Sequence, residues 1–229
     1  MTDYHQQRFP NEDHNYRVAR NALLSKEIEL RKYIAEVAAL RQQLPLGGKL
    51  KEDYIFDQGA TDLNDHNFVK PLRFTELFEA DKNSLVVYSF MYGPNANSPC
   101  PMCTSLLDSL NGNAASIQER VNMVVVAKAS IQKIRAWARQ RGWDKLRLLS
   151  SENNQFNLDY FSENADGEQW PNINVFRKTS DGIYHFYNSE LFFVAPEEGQ
   201  DPRHVDSIWP LWNVFDFTPD GRGTDWYPG

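Results

Sequence analysis

Two residues of this sequence have the types and the spacing for redox chemistry: Cys100 and Cys103, the only cysteines among its 229 residues. Thiol–disulfide exchange needs one sulfur that is a thiolate near neutral pH and a second sulfur that can release the mixed disulfide. In a helix that begins at the first cysteine, the second lies about one turn further inside. We therefore predict Cys100 as the nucleophile and Cys103 as the resolving sulfur.

The segments around the pair predict that helix. Ser84–Tyr92 is a run of β-branched and aromatic residues typical of a buried strand, and it leads into a Pro- and Asn-rich loop. Pro101 suits the first turn of a helix, whose positive dipole end favours a thiolate on Cys100. Three leucines, at 106, 107 and 110, continue one helical face, although Asn111-Gly112-Asn113 predicts a kink or an end.

Two other interpretations of the cysteines stay open. The pair could be small buried apolar residues, or half of a zinc site. Zinc requires about four ligands, and the five histidines show no H-x-x-x-H spacing, so we predict no metal. No Gly-rich phosphate loop follows a strand, and we expect no organic cofactor.

The rest of the chain predicts one α/β domain with additions at both ends. Further strands are expected at 52–57, 121–128 and 146–150, a helix from 131 that stops at Gly142, a helix or turn at 71–79, and a hairpin of 173–178 with 183–188. This order fits a thioredoxin-like fold with a mixed central sheet flanked by helices. We assign 1–48 to an N-terminal helical arm, 49–189 to the thioredoxin-like domain and 190–229 to a C-terminal wrapping tail. The polar stretch 151–169 is expected to form an active-site rim.

The helical arm should run from Asn15 to Leu44, because this stretch lacks Gly and Pro and is rich in Ala, Leu, Glu and Arg. An apolar seam follows it: Leu23, Leu30, Ile34, Val37 and Leu44. The seam either packs on its own domain or joins two copies as a homodimer.

Composition limits the partners. The net charge is −7, which opposes binding to nucleic acid or to an anionic membrane, and no apolar run reaches the length of a bilayer span. Two cysteines do not form the disulfide framework of a small secreted domain. The sequence predicts a cytoplasmic protein whose partner is a protein or small-molecule disulfide or thiol.

The chain resembles a family of bacterial thioredoxin-like proteins, the domain of unknown function numbered 899. The matching segments are YRVARNALLSKEIELR, DYIFD, VVYSFMYGP leading to CPMC, RGWDKLRLLSS and DFTPDGRGTDWYP. The resemblance implies the fold and a disulfide role without a substrate. A thioredoxin-like fold also implies a cis proline before the strand that faces the cysteines, and Pro171 has that place. Our candidates for substrate binding are Pro171 and the two residues between the cysteines, Pro101 and Met102.

The motif departs from thioredoxin in two respects. Pro99 replaces the tryptophan before the first cysteine, and Pro101-Met102 replaces Gly-Pro between the sulfurs, so the redox potential does not carry over. The strand before the motif also lacks a buried carboxylate that could accept a proton. Tyr88, Tyr92 or a path to solvent would have to replace it.

Two rival functions remain. A peroxiredoxin-like peroxide reductase is one, although Pro94 lies six residues before Cys100 rather than seven, and Asn97 occupies the place of the hydroxyl residue. A redox-inert binding protein is the other, since a fold alone does not confer activity. The long helix supports it, as do three tryptophans that could form a surface or cover the sheet: Trp209, Trp212 and Trp226.

Overall fold

The computed structural model describes residues 4, 6–79, 81–199, 208–221, 223 and 226–228. The chain divides into two compact units, Met1–Pro45 and Leu46–Gly229. The first unit contains helix α1, His14–Gln42, which confirms the predicted long helix. Asp13 caps its start, where its carboxylate accepts a hydrogen bond from the Tyr16 amide at 2.7 Å.

The second unit is built on a mixed sheet, which has seven strands in the part of the chain that is described. The strands lie in the order β2-β1-β5-β4-β3-β6-β7. Their bounds are β1 Ile55–Gly59, β2 Val69–Arg73, β3 Ser84–Ser89, β4 Asn122–Ala127, β5 Leu148–Ser150, β6 Asn172–Thr179 and β7 Gly182–Asn188. β3, β4 and β5 are parallel, whereas β6 is antiparallel to β3 and to β7. This arrangement is a thioredoxin-like fold, as predicted.

Helices α2, Pro101–Gln118, and α3, Ile131–Arg141, connect the parallel strands. Both pack on one face of the sheet, where Leu106, Leu107 and Ile134 are fully buried with Tyr88 of β3. The other face carries a second core that is rich in phenylalanine: Phe56, Phe74, Phe156 and Phe176. Side chains alternate between the faces of a strand, so β3 contributes to both cores and is held from both sides.

Two predicted elements differ in part from the structure. The stretch 71–79, expected as a helix or turn, begins in edge strand β2, and the expected turn is confirmed by the 3₁₀ helix Phe74–Leu77. Pro71 fits there because β2 is an edge strand that pairs only with β1. At this position a backbone N–H would point away from β1, so its absence costs no hydrogen bond of the ladder. Helix α2 runs through Gly112 without the expected kink, because its apolar face packs on the sheet and Asn111 binds Gly142 O and Lys145 N.

The tail is described at 190–199, 208–221, 223 and 226–228, and the remainder of the predicted tail lies outside the described residues. It contains a 3₁₀ turn, Glu190–Phe193, and helix α5, Leu211–Asp216, while the short helix α4, Phe156–Asp159, lies before β6. Trp209 and Trp212 are buried in the core beneath α2, and Trp226 is half-exposed. Among the described residues, no helix combines the length and the apolar character needed to cross a bilayer.

Candidate functional site

The cysteine pair lies at the start of α2, immediately beyond the loop that follows β3. Cys100 is the N-cap residue: its amide donates to Met91 O at 3.0 Å, and its carbonyl accepts from the Thr104 amide and hydroxyl, each at 3.0 Å. Pro101 is the first helical residue, as predicted. Cys100 is partly exposed and Cys103 is fully buried, and both are free thiols. Solvent therefore reaches Cys100 and does not reach Cys103.

The two thiols also differ in acidity. A hydrogen bond from Cys103 lowers the pKa of the Cys100 thiol to about 6, against the opposing effect of partial burial. The backbone amides of Cys103 and Met102, which are unpaired at the helix start, lower the pKa further. Burial raises the pKa of Cys103 well above its usual value, and the neighbouring Cys100 raises it more. Cys100 is therefore the thiolate near neutral pH, and Cys103 is its proton-bearing partner.

Tyr88 is the buried polar residue beside Cys103. Its hydroxyl makes no aligned hydrogen bond to a described residue and interacts electrostatically with the two cysteines. Burial raises the pKa of the Tyr88 phenol well above its usual value, and burial also raises the pKa of Tyr92. A phenol of this kind keeps its proton, so neither tyrosine suits the expected role of proton acceptor. The Tyr88 hydroxyl instead lowers the pKa of Cys103, which is the direction expected of a group that can donate to the Cys103 thiolate.

An open cleft of about 760 Å³ leads to Cys100. One wall is the loop before α2, with Gly93, Pro94 and Pro99, and the other is the segment Glu163–Trp170. The cleft confirms part of the predicted rim at 151–169 and adds Trp170, which the sequence analysis missed. Its place directly before the candidate Pro171 was the available signal in the sequence.

The second wall is anchored to the sheet by buried polar groups. Ser162 Oγ lies 2.6 Å from Ser89 Oγ at the end of β3 and 3.1 Å from Asn172 Oδ1 at the start of β6. The Trp170 amide donates to Ser162 O at 2.8 Å. These contacts join the segment to the strand that precedes the cysteines, although Ser162 and Ser89 are 73 residues apart in sequence.

The three predicted substrate-binding residues are near the site but outside the lining of the cleft. Pro101 is exposed, Met102 is partly exposed, and Pro171 is buried directly before β6, whose Asn172 lies opposite Ser89. No peptide bond in the described part of the chain is cis, so the expected cis proline is wrong. A trans bond is the default for an X–Pro pair, and the preceding residue is already held by its bond to Ser162. Across the described ranges, no three His, Cys, Asp or Glu side chains are grouped as metal ligands.

Comparison with solved structures gives similar chains of low identity. AhpC from Enterococcus faecalis is 16% identical with a TM-score of 0.48, over 80% of this chain and 98% of its own. The reduced 2-Cys peroxiredoxin of Plasmodium vivax is 17% identical with a TM-score of 0.48, over 75% and 96%. A putative thioredoxin reductase from Burkholderia cenocepacia is 12% identical with a TM-score of 0.49, over 72% and 96%.

No curated protein matches the sequence. A family model does, from residue 6 to residue 229, and its description is a bacterial protein of unknown function, DUF899. The match includes the loop before the cysteines, the pair itself, the acidic wall of the cleft and the tryptophan-rich tail. This chain therefore belongs to the DUF899 family of bacterial proteins.

Proposed function

We propose that this protein is a thiol–disulfide oxidoreductase in which Cys100 is the nucleophile and Cys103 the resolving cysteine. The observation that carries the proposal is the difference between the two sulfurs: an accessible thiol of low pKa at a helix start, next to a buried thiol of high pKa. A structural pair of cysteines would need neither the accessible sulfur nor the cleft in front of it.

The reaction has two exchange steps. The Cys100 thiolate attacks one sulfur of a substrate disulfide, the substrate S–S bond breaks, and the leaving thiolate takes up a proton. Cys103 then loses its proton and attacks Cys100, which releases the second substrate thiol and leaves a Cys100–Cys103 disulfide. The substrate gains two electrons and the protein loses two, and the reverse sequence oxidises a substrate dithiol.

The environment of Cys103 suits the second step. Its high pKa keeps it protonated, and therefore a hydrogen-bond donor to Cys100, until the mixed disulfide has formed. The Cys100 charge is then lost, which removes one cause of the high pKa, while the Tyr88 hydroxyl can donate to the developing Cys103 thiolate. The remaining predicted contacts, Pro101, Met102 and Pro171, are proposed to position the substrate backbone around the sulfurs.

Mass spectrometry of two variants tests the roles. After exposure to 2-hydroxyethyl disulfide, we expect Cys103→Ser to accumulate a mixed disulfide on Cys100, because the nucleophile remains and the resolving thiol is absent. Cys100→Ser should form no adduct, since Cys103 is buried. Wild type should lose two protons reversibly. Equal slow labelling of both sulfurs, with no adduct in either variant, would reject exchange and favour the inert binding protein.

A parallel sample with hydrogen peroxide decides the remaining alternative. An accessible thiolate also reacts with peroxide, and the product on Cys100 would be a sulfenic acid. Rapid formation of that acid together with slow reaction with disulfides would make the protein a peroxide reductase.

We further propose that α1 pairs two copies of the chain. Residues seven apart, Leu23, Leu30 and Val37, are exposed at a positions of a heptad pattern, and Tyr33 and Leu40 are exposed at the d positions of the heptads that begin at 30 and 37. In a parallel pair, this pattern places Glu36 at position g of one copy and Arg41 at position e of the other, and their charges are opposite.

Light scattering tests the pairing. The wild type should have twice the 26.5 kDa mass of the chain, and Leu30→Glu with Ile34→Glu should reduce it to the mass of one chain, because these changes put charges at a buried a position and at the e position beside it. Ala35→Glu, on the opposite side of α1, is the control and should leave the mass unchanged. A wild-type monomer would reject the pairing.

A further inference from the structure

We propose that the cleft in front of Cys100 selects disulfide and thiol substrates that carry positive charge. This inference rests on the proposed exchange function and names the class of substrate for the same site. Three carboxylates line the cleft, those of Glu163, Asp166 and Glu168, and its described lining contains no lysine or arginine. A substrate that brings its sulfur to Cys100 must pass these charges.

The nearby cations leave two of the carboxylates uncompensated. Lys128 lies 3.6 Å from Glu163, and both side chains are largely buried, so this pair is neutral as a whole. Lys133 donates to the carbonyls of Pro94 and Ala96 and does not line the cleft. Asp166 and Glu168 are exposed, and no salt bridge involving either is found in the described part of the chain.

The loop that carries these two charges is held in one arrangement. Asn164 Oδ1 accepts from the amides of Asp166 at 3.0 Å and Glu168 at 2.9 Å, and Asn164 Nδ2 donates to Glu168 Oε2 at 2.8 Å. Gly167 has a φ of +82°, which the turn requires, and residues 163 and 169 form a β-bridge. The backbone that carries both carboxylates is therefore fixed before a substrate arrives, and the Glu168 carboxylate is itself held by Asn164, which lowers the entropic cost of binding.

Exposed charges act over about one Debye length, which is ~8 Å at physiological ionic strength. A cleft lined by one sign of charge raises the local concentration of oppositely charged ligands by about tenfold or more. We expect each uncompensated carboxylate to favour a cation over an anion about threefold to tenfold, and salt to weaken the preference.

Three small disulfides of similar size test the selection on the Cys103→Ser variant. They are cystamine, which is dicationic, 2-hydroxyethyl disulfide, which is neutral, and 3,3′-dithiodipropionate, which is dianionic. The rate of adduct formation on Cys100 is measured by mass spectrometry at low and at high salt. The reaction of the same disulfides with 2-mercaptoethanol corrects for their intrinsic reactivity.

We expect the corrected ratio of cystamine to dithiodipropionate to be about ten to one hundred at low salt, the product of the two carboxylate factors, and to fall at high salt. Asp166→Asn with Glu168→Gln removes both charges and should bring the ratio close to one. Glu119→Gln is the matched control: it lies at the far end of α2, about 28 Å along the helix, and should leave the ratio unchanged.

The outcomes distinguish a failure of the charge selection from a failure of the proposed thiol–disulfide exchange. If all three disulfides react and the corrected ratio is near one, or favours the anion, the charge selection is overturned and exchange stands. If no disulfide forms an adduct, the exchange function itself fails, and the selection fails with it.

Discussion

Cys100 should be alkylated by iodoacetamide about twentyfold faster than an ordinary cysteine at pH 5, and only about twofold faster at pH 7. With a pKa of about 6, roughly a tenth of Cys100 is thiolate at pH 5, against about 0.03% for a thiol of pKa ~8.5. The lower basicity reduces its intrinsic nucleophilicity about tenfold, which offsets part of that advantage. The rate should rise with pH, reach half its maximum at about pH 6 and level off above about pH 7, because the thiolate is lost as the pH falls through the folded-state pKa.

The cause of this low pKa can be tested separately. The hydrogen bond from Cys103 is its largest cause, so Cys103→Ala should move the midpoint of the rate profile to higher pH. Cys103→Ser retains a donor at nearly the same place and should shift the midpoint less. A Cys103→Ala profile that coincides with that of the wild type would show that the backbone amides of the helix start determine the pKa instead.

Gly59→Ala should lower the free energy of unfolding by about 3 kcal/mol, which corresponds to a fall in Tm of roughly 6–12 °C for a chain of this size. A Cβ at Gly59 would lie 2.4 Å from Arg135 Cδ and 2.6 Å from its Nε. Arg135 cannot move at low cost, because its buried guanidinium donates to the carbonyls of Ala60, Asp62 and Asp65. Chemical denaturation measures the change.

Gly112→Ala is the matched control for this substitution. Its Cβ would meet no atom within 4 Å, and its place inside α2 means that alanine should stabilise the protein by about 1 kcal/mol. Gly59→Ala should also cost less in an Arg135→Ala background, since the obstacle has been removed. Additive effects of the two substitutions would show that the clash is relieved in another way.

The sequence alone determined the position of the cysteine pair and the elements next to it. Cys100, Cys103 and the strand and helix around them depend on local features: the spacing, a β-branched run, a proline at the helix start. Local features act within one or two turns, so they predicted the helix N-cap position of Cys100 and the hairpin of β6 and β7. The family resemblance added the fold and no substrate.

The tertiary structure alone decided the features that join distant residues. Asp166 and Glu168 line the same cleft as Cys100, and their segment is joined to β3 because Ser162 binds Ser89 and the Trp170 amide binds Ser162; no local pattern encodes those contacts. Packing also overrode local preference, since α2 continues through Gly112 where Asn111-Gly112-Asn113 favours a break. The position of the cysteine pair is therefore readable from the sequence, whereas the side chains that line the cleft in front of it depend on which segments the sheet brings to the same edge.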